Sequence, residues 1–198
     1  GEAFKVGVST NYPADGKVEA RILTDGNLPI WLRIPAWADK SAPAEINGET
    51  QRLDVESGYM RFDREWNAGD VISLQLNMTA CRIYANSRAR DLAGRVSVMR
   101  GPVVYAWEQH DNPEIDIARI ALPEDSQLSD AGTNGAVAGL PMIEAKLAAP
   151  NGTGEVTPLY SDIEGTDRAG TVVGRAIPYA FWGNRSSGAM EVWLLNKR

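Results

Sequence analysis

One cysteine, Cys81, and one histidine, His110, are all that the 198 residues hold of the side chains most used in metal cages and nucleophilic relays. A single thiol excludes an intrachain disulfide. One cysteine and one histidine do not make a zinc site without carboxylates at unknown positions. A Ser-His-Asp relay would rest on His110 alone, which sits between Gln109 and Asp111 and reads as a solvated loop group. Cys81 follows an alternating segment and reads as a small buried hydrophobe. No run approaches the roughly 18 apolar residues of a membrane helix, and the start carries no leader pattern. Cations are also short: 20 Lys and Arg against 26 Asp and Glu give a net charge of -6. That balance excludes nucleic acid as the main partner, because phosphate binding needs clustered cations. Glycine-rich loops such as that around Gly132 and Gly135 precede no helix, so nucleotide binding is set aside.

What the chain does have is strand periodicity. Val18, Ala20 and Ile22 fall on one face, with Glu19 and Arg21 on the other. Ile30, Leu32 and Ile34 repeat the pattern, as do Ile72, Leu74, Leu76 and Met78 against Ser73, Gln75 and Asn77. Turn pairs separate these runs: Asp15-Gly16, Asp25-Gly26, Asn47-Gly48, Gly58 and Gly69-Asp70. With no amphipathic helix to cover the apolar faces, a second sheet is the simplest cover. The expected fold is all-β, two consecutive antiparallel β-sandwich domains of jelly-roll or Ig-like type. The polar stretch Gln109 to Pro113 reads as the linker, placing the first sandwich at 1–108 and the second at 109–198. In the second, 142–147 alternates as a strand, and the segments 123–139 and 149–168 read as loops. The start at Gly1 leads to the expectation of a piece cut from a longer protein.

Two features carry candidate chemistry. Five arginines lie between Arg82 and Arg100, read as a solvated face or a docking surface for another domain. The chain also has six tryptophans. Flat indoles serve either as core or as platforms for the C–H faces of sugar rings. Trp31 lies opposite Ile30, Leu32 and Ile34 and is the candidate for exposure, together with Trp182 in the aromatic segment Ile177 to Trp182. Trp107 shares a face with Val103 and Tyr105 and reads as core. The 26 carboxylates identify no catalytic pair, since any fold brings some of them to glycosidase-like separations. No catalytic residue is assigned. Asn77, Asn151 and Asn184 open Asn-x-Ser/Thr triplets that chance accounts for.

Leu32-Arg-Ile-Pro-Ala-Trp37, then Asn47-Gly48, Gly58-Tyr59, Arg64-Glu-Trp66, Gly69-Asp70, Met78 and Arg100-Gly-Pro-Val-Val-Tyr105 with Glu108 and Asp111-Asn112, follow one another in an order that resembles the middle β region of glycoside hydrolase family 127, the β-L-arabinofuranosidase-like enzymes. Ile177-Pro-Tyr179, Trp182, Asn184-Arg185, Gly188, Met190 and Val192-Trp193 are similar to the C-terminal region of that family. The resemblance implies a catalytic N-terminal α/α barrel, with a zinc-bound cysteine nucleophile and a glutamate acid/base, that this sequence does not contain. Cys81, in Met78-Thr-Ala-Cys-Arg82, does not match the nucleophile's setting. What the resemblance leaves to this chain is a non-catalytic accessory role, supporting the barrel and sharing in a homodimer, with no cofactor of its own and any zinc in the barrel. The rival expectations are a carbohydrate-binding module for plant-type glycans using Trp31 or Trp182, and a surface interaction module.

Overall fold

The computed structural model describes residues 3–38, 43–52, 55–132, 139–150 and 169–197. They form strands joined by turns, with only 3₁₀ turns of three residues as helical elements among the described residues. The all-β expectation holds. The chain divides into two compact units, Gly1–Thr79 and Ala80–Arg198, and not at 108/109.

The first unit contains β1 (Val6–Thr10), β2 (Lys17–Ile22), β3 (Gly26–Asn27), β4 (Ile30–Arg33), β5 (Ala44–Ile46), β6 (Glu49–Gln51), β7 (Val55–Glu56), β8 (Tyr59–Phe62), β9 (Glu65–Trp66) and β10 (Val71–Gln75). Antiparallel pairing orders one sheet as β1-β2-β10-β5-β6, a second as β4-β8-β7 and a third as β3-β9. Alternation sets the register: Ala20 and Ile46 both face Ile72, and Val18 and Ala44 both face Leu74, so the apolar rows line one side of the first sheet. Met60 and Phe62 of β8 and Trp66 of β9 join that side in a single buried cluster. The indole of Trp66 donates to the Leu28 carbonyl (3.0 Å), satisfying its one polar atom inside the core.

Asn47-Gly48 joins β5 to β6 as expected, with φ of 52° and 84°, the left-handed pair that a two-residue hairpin turn demands. Ser57 and Gly58 do the same between β7 and β8, with φ of 51° and 80°. Gly16 serves a different purpose. Its missing Cβ would lie 1.9 Å from the Leu76 carbonyl oxygen, so the backbone after β10 passes where a side chain would stand. The apolar alternation of 72–78 outlasts its ladder for this reason: β10 ends at Gln75, and the Leu76 amide bonds the Gly16 carbonyl (2.8 Å).

The second unit contains β11 (Ala80–Tyr84), β12 (Arg95–Arg100), β13 (Val103–Glu108), β14 (Ala121–Pro123), β15 (Ser129–Asp130), β16 (Ile143–Pro150), β17 (Ala169–Pro178), β18 (Met190–Glu191) and β19 (Leu194–Lys197). Here the two-sandwich expectation is corrected. Pairing runs from β12 to β13, β17, β16, β14 and β19 and back to β12, so six strands of one sheet close into a barrel. Closure is possible because β12 is shared: Val98 lies between Arg82 and Tyr105, and Val96 between Tyr84 and Leu194. Closing a sheet removes unpaired edges without needing a second sheet. Val96, Val98, Tyr105, Trp107, Leu122, Ile143, Leu147 and Leu194 fill the interior. Trp107 is fully buried, and a Cβ on Gly174 would stand 3.2 Å from its ring and 2.3 Å from Leu147.

The boundary moves for the same reason. Residues 80–108 exchange hydrogen bonds with the last strands of the chain, and the presumed linker is a 3₁₀ turn, Gln109–Asp111, built into the unit. Asn112 is buried there, donating to the carbonyls of Glu108 and Arg175 (both 2.8 Å) and accepting from the Arg175 amide (2.8 Å). Polar composition at this point marks the internal hydrogen bonding of Asn112 beside an exposed His110. The strand expected at 142–147 is β16; the loop expected at 149–168 lies, from 151 to 168, outside the described residues.

Gly16→Ala is expected to lower unfolding free energy by about 2 kcal/mol, because backbone and not a flexible side chain occupies the space. Urea denaturation followed by tryptophan fluorescence measures it; an unchanged midpoint would contradict the close approach.

Candidate functional site

Trp31 and Trp182 are both exposed, at 48% and 44%, whereas Trp107 is at 0%; for Trp31 and Trp107 this is what the alternation of their neighbours implies. Trp31 stands on the outer face of β4. Cross-strand register puts Trp31 opposite Arg61 and Arg33 opposite Tyr59, while Ile30, Leu32, Met60 and Phe62 turn to the core. The four outward side chains make a checkerboard. The Arg61 guanidinium lies 5.3 Å from the Trp31 ring centroid and that of Arg33 5.2 Å from Tyr59. The two rings meet edge to face at 6.5 Å.

Trp182 belongs to the second unit and is placed by different means. After β17 the chain turns through a 3₁₀ segment, Tyr179–Phe181, which sets Tyr179 and Trp182 nearly parallel, at 4° and 6.4 Å between centroids. The following loop is pinned from beneath by Glu108, only 1% exposed. Its Oε1 accepts from the Gly183 amide (3.0 Å) and its Oε2 from Arg185 (2.6 Å). Asp111 completes a bidentate clamp on Arg185, with its Oδ1 at 2.7 Å from Nη1. Hydrogen bonding to Asp111, then to Glu108, raises the Arg185 pKa beyond the ordinary arginine value despite partial burial. A buried carboxylate with its acceptor sites filled by one cation and one amide is a structural anchor. Sequence reasoning missed it, since Glu108 and Arg185 are 77 residues apart.

The reading of Cys81 as a buried hydrophobe needs correction. Cys81 is exposed, because pairing with Met99 on β12 turns its side chain outward. Partial desolvation still pushes its thiol pKa up, away from the reactive thiolate. Among the described residues no group of three or more His, Cys, Asp and Glu is placed to hold a metal ion. His110 is an exposed loop residue whose Nδ1 meets the Ser186 hydroxyl at 2.9 Å. Asp111 beside it is committed to Arg185, and among the described residues no carboxylate is bonded to that pair as a relay would require. Three of the five clustered arginines, read as a solvated or docking face, are hydrogen-bonded within the unit. Arg82 donates to the Pro123 and Ser126 carbonyls, Arg95 to that of Trp193 (2.8 Å), and Arg100 to Asp130 (3.1 Å).

Comparison with known proteins is consistent across both units. Residues 2–78 match the model described as "Beta-L-arabinofuranosidase, GH127 middle domain", and residues 80–195 match "Glycoside hydrolase family 127 C-terminal domain". A non-reducing end β-L-arabinofuranosidase from Bifidobacterium longum subsp. longum is 33% identical over 194 residues, covering 93% of this chain and 29% of that protein. The crystal structure of a family 127 β-L-arabinofuranosidase from Geobacillus stearothermophilus T6 superposes with a TM-score of 0.88 at 34% identity, over 98% of this chain and 31% of the other. A second solved structure, titled a family 127 β-arabinofuranosidase, gives 0.77 at 26% identity, over 98% and 32%. The chain thus spans under a third of the length of the relatives it matches.

Truncating Trp31 or Trp182 to alanine is expected to cost about 1 kcal/mol, the worth of the exposed ring contacts each makes, against about 3 to 5 kcal/mol for Trp107→Ala. Thermal or urea unfolding of the three variants separates surface from core. Glu108→Ala is expected to cost about 3 kcal/mol, since it strands Arg185 and the Gly183 amide, and Glu108→Gln less. Equal losses in the two Glu108 variants would argue against the anchor.

Proposed function

This chain belongs to glycoside hydrolase family 127, of which it carries the middle and C-terminal domains, and from that membership we propose that it is the non-catalytic β portion of a β-L-arabinofuranosidase-like glycosidase. Its work is to support an α/α catalytic barrel and to share in burying a subunit interface. The observation that carries the reading is the joint match of both units to this family, over a span of only 29% of the Bifidobacterium enzyme's length. Consistent with it, carboxylates of the second unit anchor arginines: Glu108 and Asp111, both largely buried, hold Arg185, while Asp130 holds Arg100 and Glu144 holds Arg175 (2.7 Å) at the surface. Any zinc chemistry, with its activated cysteine, lies in the barrel and outside these residues.

A second reading, carbohydrate binding through Trp31 or Trp182, is favoured by the exposure of those two rings beside Tyr59 and Tyr179. Rings pre-ordered by contact with each other lose little freedom when a sugar settles on them.

The 198-residue chain, purified alone, is expected to give no turnover of aryl β-L-arabinofuranosides, while a protein joining it to its catalytic barrel hydrolyses them. Release of the aryl chromophore measures both. Sustained turnover by the 198-residue chain would overturn the accessory role.

A further inference from the structure

The outer face of β4 and β8 has more order than a solvated sheet face requires. Trp31 and Tyr59 are both exposed there, and each has a guanidinium against its ring. The two cations are not equivalent. Arg61 forms an ion pair with Asp63, so its charge is answered within the face. Arg33 ion-pairs with no carboxylate among the described residues; Glu56, across from Tyr59 on β7, forms no ion pair with it.

Arg33 is nonetheless held in place. Its Nη1 donates to the Gly58 carbonyl (2.7 Å), and a Cβ at position 58 would fall 1.7 Å from that nitrogen. Gly58 therefore does two things: it takes the left-handed conformation of the turn, and it leaves the space that the guanidinium crosses. The outcome is a positioned cation with donors to spare, beside two aromatic rings, on a chain of net charge -6. A guanidinium presents parallel N–H donors matched to a carboxylate. Aromatic rings beside it suit the C–H face of a sugar.

We propose that this face binds a carboxylate-bearing saccharide, a uronate residue of a glycan, with Trp31 and Tyr59 against the ring and Arg33 on the carboxylate. The proposal rests on the reading of the chain as part of a glycan-processing protein, and it names the ligand class that the second reading leaves open. Charge complementarity selects an acidic sugar over a neutral one. Aromatic contact selects a sugar over a bare anion.

Isothermal titration of the 198-residue chain with an oligogalacturonate, its methyl ester and a neutral arabino-oligosaccharide tests it. The free acid is expected to bind about tenfold more tightly than the ester, as one charged hydrogen-bonded contact implies, and to weaken as salt is raised. Arg33→Gln is expected to abolish the preference for acid over ester while lowering the melting temperature only by what the lost bond to the Gly58 carbonyl contributes. Trp31→Ala is expected to weaken all binding about tenfold or more, with Tyr84→Ala, an exposed aromatic of the other unit, as the unaffected control. Equal affinity for acid and ester, no binding of the acid at all, or full binding by Trp31→Ala would overturn the proposal. Because binding and not hydrolysis is read, these outcomes leave the accessory role untouched, and turnover by the chain would not bear on them.

Discussion

Strands such as β4, β8 and β10 have one face that water accepts and one that it does not, and with only short 3₁₀ turns beside them among the described residues the strands hide that second face against each other. The two units meet the constraint differently. In the first, rows such as Ala20, Ile72 and Ile46 line one side of a five-stranded sheet, and Met60, Phe62 and Trp66 from the smaller sheets cover them. In the second, β12 pairs with β11, β13 and β19, and one sheet bends until it meets itself. Burial of apolar surface at about 25 cal/mol per Å² drives both; what differs is whether the edges are left open or consumed.

Polar groups follow from that choice. Once the barrel closes, Glu108 and Asn112 at the end of β13 are sealed from water and have to be answered internally. Asn112 is answered by backbone, and Glu108 by Arg185 and the Gly183 amide. Those bonds fix the loop that carries Trp182. Tyr105, deeper still, has its phenol pushed up to about 12 by desolvation and donates to the Pro141 carbonyl. The exposed rings of the second unit are thus held by the groups that burial made costly.

Trp31 was legible because a regular strand converts position directly into side: even-numbered Ile30, Leu32 and Ile34 go in, and Trp31 goes out. The family was legible from the order of short motifs spread along both units. Failures came where polarity has two meanings. Gln109 to Pro113 is polar because Asn112 cross-links backbone, which composition does not distinguish from a solvated linker. Arg82, Arg95 and Arg100 looked like a surface patch, yet their partners are carbonyls and a carboxylate far along the chain. Closure of the barrel was hidden for the same reason, since no local pattern tells that Val96 will meet Leu194.

That meeting has a kinetic side. The strand Leu194–Lys197 lies between β12 and β14, antiparallel to one and parallel to the other, and pairs residues nearly a hundred positions apart. Non-local pairing of this sort is slow, because a long loop has to be ordered before any contact rewards it. The first unit, whose pairings all fall within its own 79 residues, meets no such delay. It is free to fold before Leu194–Lys197 is made, while the start of β12 and one edge of β14 wait for that strand.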